Sequence, residues 1–369
     1  AYYNFIGMRR LTRLFTENLS VLRPNARKER VMTPTERYAV YGYNTNNIGD
    51  DVQSIASMRF LPKIDYVIDR EKIHGFQGPK AKAILNAFYI DSARHFPPSE
   101  NIDPLLISMH VTPVRREAFL KTSKKYLIEH GPVGCRDITT LKWLEESGVP
   151  AYFSGCLTLT LQSNPDIKKE NYILAVDVDK NTVDSLRKTT PTPIYTLSHF
   201  LDGAFRRKYD MRSRLKFAKA LLCMYNSAKC VISRRLHVVY PSLAMGTPTL
   251  LLDAETETYP GRFKGLLDFV HHMTSEDLLS GDYDPDSPPK NPTEHLHYRK
   301  ELVKRCSEFT GYDSPVSPVP VSGLQDIMPM VTGIDTSDTR DVYISEMIKT
   351  TVERLVDRYV LGKRERDYE

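Results

Sequence analysis

The chain has 369 residues, 41% of them hydrophobic and 26% charged, and a formal net charge of +5. That length exceeds one compact core and sets about two domains as the expectation. The composition is that of an ordinary globular protein, and a charge this small and scattered accommodates an anionic substrate without arguing for nucleic acid.

The first 35 residues are basic and partly amphipathic. Phe5, Met8, Leu11, Phe15 and Leu19 suit one helical face, with Arg9, Arg10 and Arg13 off it. They read as a helix packed on the body, or, more sharply, as a segment lying on a membrane surface. Regular structure starts with "RYAVYGYN", whose aromatic and β-branched residues predict a strand. It breaks at "NTNNIGDD", and "DVQSIASMRFL" has helical spacing. "IDYVIDRE" predicts a strand, "GPKAKAILNAFYI" a helix, "LLISMHV" a strand and "REAFLKTSKKYLIEHG" a helix. "VGCRD" is a short strand and turn. "DITTLKWLEESG" is a helix capped by Asp137 and stopped by Gly148, and "VPAYFSGCLTLTL" is strand-like. A second series follows: strands in "NYILAVDVD" and "PTPIYTLS", a helix in "RSRLKFAKALLCMYNSA", a strand in "KCVISRRL", a helix in "HVVYPSLAMG" and a final strand in "TPTLLLD". Pro, Asp and Ser cluster from about 280 to 325, predicting a long irregular connection before a closing helix.

This alternation predicts an α/β fold with parallel sheets covered by helices, in two Rossmann-like halves. The expected divisions are a basic segment at 1–35, an N-terminal domain at 36–163, a C-terminal domain at 164–335 and a closing helix at 336–369. The five cysteines form no CxxC pair and read as buried free thiols, which favours a reducing compartment. No run of about 18 apolar residues occurs, so no membrane span is expected within the chain. The cytoplasm is the expected location, at a membrane if the basic segment docks there, with the Golgi lumen as the alternative if an anchor preceded Ala1.

In open parallel sheets ligands sit beyond the carboxyl ends of the strands. Arg136 and Asp137 follow "VGC", and Arg234, Arg235 and His237 follow "CVIS". Guanidinium groups match phosphate and carboxylate geometry, and a histidine beside them moves a proton near neutral pH. The competing reading pairs the arginines with carboxylates and places His237 in the core. Asn44, Asp50 and Asp51 in the first loop are candidates to line a cleft or contact an acceptor, the two aspartates having helix capping as their simpler role. Ser154 after "AYF" and Tyr259 and Arg262 after "TPTLLLD" are further candidates to line a cleft. There is no GxxxxGK[ST] loop, no GxGxxG after the first strand, and no HExxH or paired CxxC. No metal is therefore expected, and the adjacent His271 and His272 diverge too much for a ligand pair.

The segments "YGYNTNNIGDDVQ", "GPVGCRDITTLKWLEESGVPAYFSG" and "VISRRLHVVYPSLAMGTPTLLL", spanning roughly 38–270, together resemble the polysaccharide pyruvyl transferase family. The resemblance implies a two-domain fold similar to GT-B glycosyltransferases, with the site between the domains. It implies phosphoenolpyruvate as donor substrate, a glycan acceptor, a pyruvate ketal product and no cofactor. By matching positions, Arg136 and Arg235 hold the donor's phosphate and carboxylate, the Leu236 backbone assists, and His237 protonates the methylene carbon. Many bacterial members carry an aspartate-proline step where this chain has "SGCLTLTL", a departure that leaves the acceptor open. Two other functions fit the fold: a glycosyltransferase using a nucleotide sugar, and a glycan-binding protein without catalysis. No nucleic-acid partner is expected, and the sequence leaves the oligomeric state open.

Overall fold

The structure is a computed structural model that describes residues 36–89, 93–201, 209–254 and 261–321. The expected helices at 1–35 and 336–369, and Tyr259, lie outside the described residues. The first sheet is built from β1 (Tyr38–Gly42), β2 (Tyr66–Asp69), β3 (Ala81–Leu85) and β5 (Ile102–Leu106), in the order β2-β1-β3-β5 and parallel throughout. The short strands β4 (Phe88–Tyr89) and β6 (His110–Val111) pair beyond the ends of β3 and β5. β7 (Val133–Cys135) pairs with β8 (Ala151–Phe153). Met109 joins these pairs: its N–H donates to the Gly134 carbonyl at 2.9 Å, and its carbonyl accepts from the Arg136 N–H at 2.8 Å. The helices of this half are α1 (Gly49–Met58), α2 (Arg116–Glu129) and α3 (Ile138–Glu146).

The second sheet holds β9 (Ile173–Val176), β10 (Ile194–Leu197), β11 (Cys230–Ser233), β12 (Thr249–Leu252) and β13 (His271–Met273). Its order is β10-β9-β11-β12-β13, again parallel. Both sheets thus place their first strand inside and their second at an edge, the order that opens a crevice at the carboxyl ends of the strands. The helices here are α4 (Lys180–Thr189), α5 (Met211–Ser227), α6 (Leu236–Ala244), α7 (Ser275–Ser280) and α8 (His295–Thr310).

The two halves share one apolar cluster. Tyr38 and Val40 of β1, Val52 and Ile55 of α1, Leu221 and Tyr225 of α5, and Val238 and Tyr240 of α6 all belong to it. The opposite face of each sheet has its own cluster: Ala39, Tyr41, Ala83 and Leu85 under α2 and α3, and Ile173, Ala175, Ile232 and Leu250 under α4 and α7. Alternation along β1 and β9 therefore fills two layers from each strand, as parallel sheets require.

Five sequence expectations are corrected. The helix expected over 78–90 is the strand β3. β3 pairs with β1 on one side and β5 on the other, and five residues with a single lysine carry no period that separates helix from strand. "CLTLTL" forms a buried 3-10 turn at Leu157–Thr160 rather than continuing β8, because it passes from one half to the other through the shared cluster. Arg234 and Arg235 are not in the strand, which ends at Ser233, and His237 is the second residue of α6. "TPTLLLD" is not the last strand, since β13 extends the edge, and the stretch 280–325 contains α8, whose Leu302 and Cys306 join the shared cluster. All five cysteines are buried free thiols. Among the described residues no helix is long and apolar enough to cross a membrane.

Candidate functional site

The site forms where the carboxyl ends of both sheets meet the amino ends of α1, α3 and α6. Helix amino ends present unsatisfied backbone N–H groups and partial positive charge. At α3, Asp137 is the cap: its carboxylate accepts from the Thr140 N–H at 2.9 Å and the Thr139 hydroxyl at 2.6 Å. The Met109–Arg136 backbone bridge sets His110 beside Asp137, and the imidazole Nδ1 bonds the carboxylate. Burial and the neighbouring Arg136 push the His110 pKa down to about 4, against the pull of Asp137. His110 is therefore the neutral member of the pair and Asp137 the ionised one. Arg136 is 0% exposed, and burial lowers its pKa, Asp137 opposing and Arg262 reinforcing the effect.

Arg262 reaches this point because its loop is tied to α3. The Ile138 N–H donates to the Lys264 carbonyl at 3.0 Å. Gly265, at φ +83°, has Ile138 where a Cβ would stand, 2.4 Å away, so only glycine permits this approach.

At α6 the chain turns from β11 through Ser233, whose hydroxyl accepts the Arg235 N–H at 3.0 Å and donates to the Val176 carbonyl at 2.7 Å. Arg235 is the N-cap residue, followed by Leu236 and His237. Asp177, at φ +53° after β9, organises three strand ends together. Its carboxylate accepts from Arg235 Nε at 2.8 Å, from the Ser198 hydroxyl at 2.6 Å and from the His199 N–H at 3.2 Å. Arg235 also lies over the Phe200 ring, 4.2 Å from its centroid.

His237 is 5% exposed, and among the described residues its Nε2 has no hydrogen-bond partner. Burial first, then the charges of Arg136 and Arg262, then His199 and His110, hold its pKa well below the ordinary imidazole value. His199, 1% exposed, bonds the Tyr225 hydroxyl through Nε2, and its Nδ1 has no partner among the described residues. Gly49, the first residue of α1, packs against both residues. A Cβ there would sit 2.9 Å from His199 Nδ1 and 3.3 Å from His237 Cβ.

The structure thus brings Arg136, Arg262 and His237 together, with Leu236 supplying the first N–H of α6. Arg235 stands at the flank, fixed on Asp177. Arg234 turns away to Asp179 and Asp253. Asp51 faces inward and pairs with Arg214 at 2.6 Å. Neither Asp50 nor Asp51 caps α1: the Gly49 N–H goes to Asn47 Oδ1 at 3.0 Å, while Asp50 takes the Thr45 hydroxyl at 2.9 Å. The Ser154 hydroxyl donates to the Cys135 carbonyl and accepts the Ser108 N–H, and Asn44 is exposed. His110, Asp177 and His199 are the residues that sequence reasoning missed. Asp177 directly follows β9, His199 stands two residues beyond β10, and His110 begins β6. Among the described residues, no three His, Cys, Asp or Glu side chains are grouped to hold a metal ion.

Guanidinium groups, buried imidazole nitrogens without partners among the described residues and helix amino ends, set at the carboxyl edges of parallel sheets, define an α/β protein whose site has the chemistry suited to an anion and a proton transfer. Comparison with known families matches polysaccharide pyruvyl transferase over residues 47–255. The chain belongs to that family, and so to the transferases. A comparison with curated proteins gives no match. Among solved structures, an uncharacterized protein of Klebsiella pneumoniae subsp. pneumoniae is 14% identical, over 59% of this chain and 83% of that one, at a TM-score of 0.36.

Proposed function

We propose that the chain transfers the enolpyruvyl group of phosphoenolpyruvate to a glycan, closing a pyruvate ketal and releasing phosphate. The observation that carries the reading is that the buried Arg136 and His237 and the half-buried Arg262 lie together in one positively charged site. Arg136, Arg262 and the first N–H groups of α6 hold the phosphate and carboxylate, with Arg235 contributing from the flank. Such preorganised charge acts strongly where water is excluded. His237 gives a proton to the methylene carbon. The bound anion restores that proton to an imidazole which burial otherwise keeps neutral.

The resulting cationic carbon is attacked by one sugar hydroxyl, which loses its proton. Phosphate then leaves with the C–O bonding pair. A second hydroxyl attacks, loses its proton and closes the ketal. No redox cofactor enters this balance. In this reading the domains are Rossmann-like, 36–163 on the acceptor side and 164–335 on the donor side, in a GT-B-like arrangement. The enzyme works in the cytoplasm, with the basic segment 1–35 as its contact to a membrane.

The test is phosphate release from phosphoenolpyruvate with and without added glycan. His237→Ala should lower turnover by about 10²–10⁴-fold, the usual contribution of a positioned acid, while donor binding persists. Undiminished release in that variant rejects the role given to His237.

A further inference from the structure

Two imidazole nitrogens, not one, open onto this site. His237 Nε2 and His199 Nδ1 are both buried and both lack a hydrogen-bond partner among the described residues. A buried polar atom left unsatisfied in a native fold calls for an explanation, and a ligand is one. Both residues border Gly49, where a Cβ would stand 2.9 Å from His199 Nδ1 and 3.3 Å from His237 Cβ. Gly49 is the first residue of α1, whose amino end carries partial positive charge. The His199 ring is held from behind. Its Nε2 is engaged by Tyr225, a fully buried residue of α5, and its own N–H is taken by Asp177. Its carbonyl accepts the Ile48 N–H at 2.9 Å, which fastens the residue to the start of α1.

We propose that His199 is a second anion-contacting residue of the site, and that His199 and His237 each take up a proton as a multiply charged anion enters. The inference rests on the reading of the site as a phosphoenolpyruvate site.

The charges around the two rings support it. His237 faces Arg136 and Arg262, with the neutral rings of His199 and His110 beside it. His199 faces Asp177 and Arg235, which are paired with each other, and the Tyr225 hydroxyl. Asp137 is held by His110. The guanidinium groups facing His237 thus bring two positive charges to a ligand with three negative ones at neutral pH. Burial holds His199 at about 4, with Arg235 adding to that effect and Asp177 opposing it. An opposite charge within about 4–6 Å moves a pKa by about 1–3. A phosphate and a carboxylate beside the rings therefore pull both values upward. A protonated His199 then donates from Nδ1 to the anion while Tyr225 accepts from Nε2.

The experiment is calorimetric titration of the full chain with phosphoenolpyruvate near pH 7.5 in buffers of different ionisation heat, which counts the protons bound. The wild type should take up more than one proton per ligand. His199→Asn keeps an amide near the Nδ1 position but cannot charge, and it should lose up to one proton of uptake and bind more weakly by about tenfold or more. His237→Gln should lose a similar amount independently. If uptake falls in His237→Gln but stays at the wild-type value in His199→Asn, the inference is overturned and the proposed function stands. If the wild type binds neither phosphoenolpyruvate nor inorganic phosphate, both are overturned. Should His199→Asn not fold, 15N signals of the wild-type imidazoles decide: two rings turning cationic on adding phosphoenolpyruvate support the inference, and one alone refutes it.

Discussion

Gly49 shows how narrow the tolerances of this site are. Its missing side chain leaves the space into which His199 and His237 reach, and Asn47 Oδ1 is 3.0 Å from where a Cβ would be. Gly49→Ala should therefore push the rings apart while leaving α1 intact, because alanine is the better helix former. Overpacking of this kind costs about 1–3 kcal/mol, equivalent to roughly a 5–150-fold loss in anion affinity if it falls on the site. Calorimetry with phosphoenolpyruvate reads the affinity and thermal unfolding reads the stability. Lost stability with unchanged affinity would place the two rings outside the binding site. At this scale the sequence was informative for residues that directly follow an apolar strand, such as Arg136 and Asp137. His110 begins a two-residue strand and His199 lies one residue further past β10, and nothing local marks either, since a histidine near a strand end is chemically ambiguous until its neighbours are known. Arg262 takes its place through the bond from the Ile138 N–H to the Lys264 carbonyl, a contact across more than 120 residues that no local pattern encodes.

Among the elements, α1 and α5 bind the halves together and set the site's geometry. Arg214 of α5 pairs with Asp51 at 2.6 Å and donates to the Thr45 carbonyl at 2.9 Å, so it fixes both the helix and the loop that precedes it. Both side chains of the pair are almost fully buried, 1% and 0% exposed. Removing one member of a buried ion pair leaves the other charge uncompensated, at a cost of about 3–5 kcal/mol. Arg214→Ala should lose about that much in denaturant unfolding. Replacing both, Arg214→Met with Asp51→Leu, should recover most of it, because an apolar pair of similar volume removes the desolvation cost. A double variant no more stable than Arg214→Ala would show that the Thr45 contact matters more than the ion pair. Elements with strong β-branched or capped signatures, β1 and α3 among them, were legible from sequence. β3 was not, because two alanines in a short apolar run satisfy either period, and tertiary placement between β1 and β5 decided the outcome. α8 was hidden for another reason: prolines and serines on both sides of it dominate the composition of the window, while the burial of Leu302 and Cys306 is a long-range fact.

Across the whole molecule, the shared apolar cluster makes the two halves one packed body around a site that carries more positive than negative charge. That imbalance has a consequence for stability. His110, His199 and His237 all have pKa values below the ordinary imidazole value, to about 4 for the first two. In the unfolded chain they take up protons as pH falls through about 6.5. In the fold they do so only at lower pH. Their contribution is therefore full above pH 6.5 and is lost as pH drops toward 4, at about 1.4 kcal/mol per pH unit for each ring. Asp51 opposes them: burial raises it to about 7, with Arg214 pulling against, so its contribution is present at low pH and fades as pH rises through that value. Three rings against one carboxyl leave a net loss on acidification. The apo protein should accordingly melt at lower temperature at pH 5 than at pH 7, and His199→Asn or His237→Gln should each flatten that slope. A ligand that is bound with proton uptake reverses the trend. Phosphoenolpyruvate should raise the melting temperature more at pH 6 than at pH 8 when protein and ligand concentrations are fixed. A ligand-induced rise that is independent of pH in this range would mean that the imidazoles keep their charge state on binding, and that the guanidinium groups and helix ends hold the anion alone.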